Sequence, residues 1–150
     1  LAGVSALPPS ALISSTTFCA GPASLPSPAT DAPMSDANLR QLAKRGTLGI
    51  GRTGTSGGYS SGDLFLALSV ADPVAVPPHA GPVLTRQCLN WEELDPIYDA
   101  AVDATDEAIL NAIVAGEDVE SFKPKGQVCH ALDTTQLLEI MRAYGRGPVA

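Results

Sequence analysis

A layered α/β fold is predicted for this chain of 150 residues by three features of its hydrophobic pattern. Leu64, Phe65, Leu66, Ala67, Leu68 and Val70 form an apolar run with the length of a buried strand. Before it, Leu39, Leu42, Ala43 and Gly46 recur at i, i+3, i+4, i+7, one face of a helix. After it, Ile97, Ala101, Ala104, Ala108, Ile109, Ala112 and Ile113 mark a second, alanine-rich helix face suited to close packing on a sheet. Two or three strands, one early helix and two late ones then place sheet and helices in separate layers.

Residues 1–28 show no sustained period of two or 3.6 and carry Pro8, Pro9, Pro22, Pro26 and Pro28, so an irregular leader is expected there, followed by the folded portion, 29–150. Ala29-Thr30-Asp31 reads as a strand end, Pro33 and Ser35 as a turn and helix cap. Gly49, Gly51, Gly54, Gly57, Gly58 and Gly62 suggest a flexible loop between the first helix and the 64–70 strand. Gly49 to Gly54 also spells GxGxxG, but it follows a helix instead of a strand, which removes the dinucleotide reading. Residues 72–90 hold four prolines and read as an extended connector. Asp95 and Pro96 open the second helix and Gly116 stops it. A short strand is expected over Val128–Leu132. Asp133 and Gln136 form a capping box for the last helix, with Leu132 and Leu137 as staple and Gly145 as its end.

Net charge is −7 and the pI about 4.6, which argues against nucleic acid or anionic lipid as a partner. The stretch from Glu92 to Glu120 concentrates the acidic residues and reads as a solvated helix face. Cys19, Cys88 and Cys129 are odd in number and lack CxxC spacing, so neither a disulfide framework nor a zinc site is indicated. No apolar run reaches a membrane span, and the start carries no basic signal region; a cytoplasmic location is the expectation. His79 and His130 read as loop or structural histidines, and no metal or cofactor is called for.

Ser61 and Asp63 bracket Gly62 at the junction of the glycine-rich loop and the apolar run. In extended backbone they share a face, so a hydroxyl and a carboxylate point together, an arrangement suited to acid/base work or to holding an amine, although Ser-Gly-Asp is also ordinary turn chemistry.

Three motifs in order, ATDAP at 29–33, LRQLAKRGTLGIGRTG at 39–54 and SSGDLFLALS at 60–69, resemble the β-chain region of the L-aminopeptidase/D-amidase-esterase (DmpA-type) family, which includes β-peptidyl aminopeptidases and nylon-oligomer hydrolases. The resemblance covers roughly residues 29–146. It implies the C-terminal portion of a layered α-β-β-α sandwich, with the preceding α portion of the precursor as partner and a homo-oligomer as the assembled state. It also implies a precursor that cuts itself so that a new N-terminal Ser or Thr becomes the nucleophile, with Ser61 and Asp63 as supporting hydroxyl and acid. Substrates would be short peptides, amides or esters with a free amino end.

Family spacing points to Ser24 as nucleophile, with Thr16 and Thr17 as alternatives. Such an enzyme needs no histidine, because the freed α-amine, with an ordinary pKa of about 7.7–8.0, serves as the base. Leu25-Pro26-Ser27-Pro28 departs from the family's apolar strand, and two residues without N–H groups are expected to keep a central strand from forming. Without its α portion the chain is expected to be inactive. The competing readings are an ornithine acetyltransferase-like acyl transferase, for which Thr16-Thr17 would suit, and a non-catalytic relative.

Overall fold

The computed structural model describes residues 13–20, 23–59, 62–71, 82–83 and 85–147. They form a mixed α/β arrangement that divides into two compact units at Ile109/Leu110.

In the first unit, β1 (Ile13–Ala20) and β2 (Ala23–Thr30) make an antiparallel hairpin, and the short β3 (Leu68–Ser69) runs parallel to β2, in the order β1-β2-β3. The irregular leader expected over 1–28 therefore does not extend through 13–20 or 23–30, and β2 is central despite its prolines. The backbone explains how. The Leu66 N–H donates to the Pro26 carbonyl at 3.3 Å, so Pro26, and with it Pro28 two residues on, turns its backbone toward the β3 side. The missing N–H groups thus fall on one edge only, and the hairpin with β1 loses no donor. Toward β3 the prolines can accept but not donate. Regular pairing there begins only at Ala29 and Thr30, and the apolar run expected as one strand over 64–70 is reduced to two residues flanked by single bonds, the second from the Val70 N–H to the Thr30 carbonyl at 2.9 Å.

Helix α1 (Asp36–Arg52) starts where Ser35 predicts: the Ser35 hydroxyl accepts from the Asn38 N–H at 3.2 Å. It does not stop at Gly49. The start of the expected glycine-rich loop is helical to Arg52, and Gly49, like Gly46 on the helix face before it, is a packing position. A Cβ at Gly46 would lie 2.7 Å from Phe65 Cδ1 and 3.4 Å from Pro26 Cβ; one at Gly49 would lie 2.6 Å from Thr105 Cβ and 2.9 Å from the Val102 carbonyl oxygen. Gly54, with φ of 101°, then leaves the helix in a backbone region that favours glycine.

Helix α2 (Asp95–Val114) follows a 3-10 turn at Trp91–Glu93. Its first half is buried through Ile97, Ala101, Val102 and Thr105, whereas Ala112 and Ile113, expected on the same inward face, are exposed. The buried Thr105 hydroxyl is satisfied by donating to the Ala101 carbonyl at 2.7 Å. Arg45 lies over the Tyr98 ring, 4.3 Å from its centroid, and Arg52 pairs with Asp103, so three contacts along α1 meet α2. The core gathers Ala32, Met34, Leu42, Leu94, Ile97 and Ala101. Gly49→Ala should destabilise the fold by about 1–3 kcal/mol through overpacking, despite alanine's better helix propensity. Gly51→Ala, with nothing within 4 Å, should be neutral or stabilising by up to about 1 kcal/mol. Urea denaturation of the two variants distinguishes packing from propensity.

In the second unit, β4 (Val119–Glu120) and β5 (Val128–Cys129) pair antiparallel, and α3 (Thr134–Ala143) follows. β4 was not foreseen, and β5 is shorter than the Val128–Leu132 expected. The α3 cap is as predicted: Asp133 accepts from the Thr135 and Gln136 N–H groups at 2.9 and 3.0 Å, and Gly145, at φ of 66°, lies just past the helix end.

Candidate functional site

The ATDA turn at the end of β2 is tied down by its own side chains. Thr30, 1% exposed, accepts the Ala32 N–H on its Oγ1 at 3.1 Å. Ser69, at the end of β3, donates its hydroxyl to the Ala32 carbonyl at 2.6 Å and accepts the Ala71 N–H at 3.3 Å. Two hydroxyls thus bind a turn to the neighbouring strand and fix how β2 and β3 lie against each other. Sequence reasoning missed this pair. Its only signal is the presence of hydroxyls at two strand ends.

That fixing matters because of the register. Ala29 lies opposite Leu68 and Thr30 opposite Ser69, an offset of 39 positions, and the Leu66 to Pro26 bond keeps the same offset further back. Counted two residues beyond Pro26, the same offset relates position 24 to position 63, although the observed backbone pairing stops at the Leu66–Pro26 bond. Ser24 lies in β2, across from Cys19 in the hairpin, and Asp63 lies in the segment that leads into β3, before its paired residues. Asp63 is half-buried and in phase with Phe65, Ala67 and Ser69, the half-buried positions of the segment. Thr16 and Thr17 sit on β1, opposite Ser27 and Pro26, one strand further from Asp63. Ser61 lies outside the described residues, as does His79.

The remaining sequence candidates are accounted for structurally. Gly49 to Gly54 closes α1 and its terminal turn, so its glycines cradle no phosphate. His130 is exposed and lies 3.0 Å from an Asp118 oxygen through Nδ1. Cys88 and Cys129 are free and exposed. Among the described residues no cluster of His, Cys, Asp and Glu could hold a metal, and no helix is long and apolar enough to cross a membrane. A cavity of about 420 Å³ opens at the N-terminal end of α1, lined by Met34, Ser35, Asp36, Leu39, Arg86 and Cys88 among others; Asp63 does not reach it.

Residues 27–127 match the model of peptidase family S58. The chain is 37% identical over 118 residues to the β-peptidyl aminopeptidase BapA of Sphingosinicella microcystinivorans, which covers 79% of this chain and 29% of that protein. Among solved structures it is similar to the L-aminopeptidase D-Ala-esterase/amidase of Ochrobactrum anthropi, a serine aminopeptidase with a variant of the Ntn-hydrolase fold. The TM-score is 0.75 at 38% identity, over 84% of this chain and 35% of that one. A Burkholderia sp. β-aminopeptidase gives 0.72 at 35%, over 84% and 36%. The chain thus spans about a third of the length of the relatives it matches. The resemblance expected from the three motifs is confirmed, and the chain belongs to peptidase family S58.

Proposed function

We propose that this chain is the nucleophile-bearing portion of a self-processing aminopeptidase, active only together with the rest of the longer fold. The observation that supports this is the β2–β3 register, whose offset of 39 positions, continued beyond the Pro26–Leu66 bond, would set Ser24 against Asp63. In this reading the bond before Ser24 is cut, and its freed α-amine becomes the base. The Ser24 hydroxyl attacks the carbonyl carbon of an amide, the amine takes the hydroxyl proton and passes it to the departing amine, and water then hydrolyses the acyl ester. Ser61 and Asp63 orient that amine or hold the ammonium of the substrate, for which a carboxylate is the suitable charge. Substrates are short peptides, amides or esters with a free amino end, in keeping with the aminopeptidases it is similar to.

The surrounding architecture supports a partner layer. α1 packs by Gly46 against Phe65 and Pro26 on one side of the sheet, while Leu64, Leu66, Leu68 and Val70, the alternate positions, remain 40–69% exposed. A period-two apolar stripe of this kind is the open inner face of a sheet, where the second layer of an α-β-β-α sandwich would rest, supplied by the preceding α portion. That portion would also carry the oxyanion hole.

Intact mass measurement on the full-length gene product tests the proposal. The expected result is a fragment beginning at Ser24, obtained together with aminopeptidase activity. An uncut product that is fully active, or a cut before Thr16 or Thr17, would sink the Ser24–Asp63 assignment.

A further inference from the structure

The hairpin that joins α2 to α3 is held at its neck by one carboxylate. β4 and β5 share only two residue pairs, Val119 with Cys129 and Glu120 with Val128, extended by the Ser121 N–H donating to the Gln127 carbonyl at 2.8 Å. A ribbon this short is marginal by itself. At its open end Asp118 makes two contacts in different directions: Oδ1 accepts the Ala131 N–H at 2.8 Å, and Oδ2 meets His130 Nδ1 at 3.0 Å. With a carboxylate as its neighbour, Nδ1 carries the proton. Ala131 lies two residues before Asp133, the cap of α3, so the carboxylate fixes the chain just where the last helix begins.

We infer that Asp118 is an acid-released latch: its carboxylate closes the 118–131 hairpin, and protonation opens the neck and frees the start of α3. The two contacts need the charged form, since a neutral carboxyl is the poorer acceptor and forms no ion pair. The backbone bond from Ala131, and then His130, hold the Asp118 carboxyl below its ordinary value of 3.8. A depressed value in the closed state means that the latch contributes fully above the ordinary value and is lost as pH falls through the lower one. His130, just past β5, is the titratable group facing Asp118; Glu117 and Glu120 flank Asp118 on its own segment, Lys123 and Lys125 lie in the hairpin turn, and Asp133 caps α3.

Hydrogen exchange by NMR on the full chain, expressed as protection factors from pH 7 to pH 3, tests the latch. The expected result is loss of Ala131 protection below the ordinary aspartate range while Leu42, in the first unit, stays protected. Asp118→Ala should lower Ala131 protection about two- to fivefold at neutral pH. Asp118→Asn, which keeps an acceptor oxygen but cannot titrate, should abolish the pH dependence, and His130→Ala should move the release toward the ordinary aspartate value. The inference is overturned if Asp118→Ala leaves Ala131 unchanged, if Asp118→Asn retains the acid release, or if Ala131 and Leu42 lose protection together. The site proposed at Ser24 and Asp63 plays no part in this readout, so the two ideas fail separately.

Discussion

Leu42→Ala is expected to cost about 2–5 kcal/mol, a large share of the roughly 5–15 kcal/mol that holds an ordinary domain together. Leu42 is fully buried in the cluster that gathers Ala32 and Met34 from the turn after β2, Leu94 from the turn before α2, and Ile97 and Ala101 from α2 itself. Two of those neighbours are alanines, too short to move into a vacated space, so the cavity would persist and its energetic cost would not be relieved by collapse. The measurement is the midpoint of urea denaturation with an unchanged slope. A loss below about 1 kcal/mol would mean that the cavity is filled by rearrangement and that α1 is not seated as described.

Asp63→Asn, in the enzyme assembled with the remaining portion of the fold, should lower kcat/KM about a hundred- to a thousandfold toward substrates with a free amino end. The substitution preserves shape while removing the charge and turning one acceptor oxygen into a donor. Toward substrates whose amino end is acetylated, the variant and the parent should differ much less, since no ammonium is then present to be recognised. Equal losses on both substrate classes would assign Asp63 to orienting the nucleophile's own amine, and no loss on either would remove it from the site. Because Asp63 is half-buried, a circular dichroism melt of the variant is the control for simple misfolding.

The parts of this fold that were legible in the sequence are those set by local chemistry. Ser35 and Asp133 cap helices because each offers an oxygen to amides two or three residues ahead, a relation contained within four residues of chain. The family motifs were legible for the same reason: they are contiguous strings. What was not legible depends on contacts between distant residues. Gly49 reads as a loop former, and Gly46 only as one position of a helix face, until Thr105 and Val102, and Phe65 and Pro26, are placed against them and leave no room for a Cβ. Pro26 and Pro28 read as strand breakers because a sequence does not say which edge of a strand each residue faces; with both on the same edge, one neighbour pays and the other does not. Residues 24 and 63 stand far apart in the chain, and only the offset of a parallel pair relates their positions. Ser61 was named from its place two residues before Asp63 and from the family motif, and lies outside the described residues.

The offset between β2 and β3 has a consequence for how the molecule assembles. The β1–β2 hairpin closes over a few residues, whereas joining β3 to it closes a loop of 39 positions, an entropic cost that rises with the logarithm of loop length and is met only once the intervening helix is compact. The hairpin is thus the early event and the arrival of the third strand the late one. The pairing of β2 with β3 comes into being last, after α1 has folded and shortened the path between them.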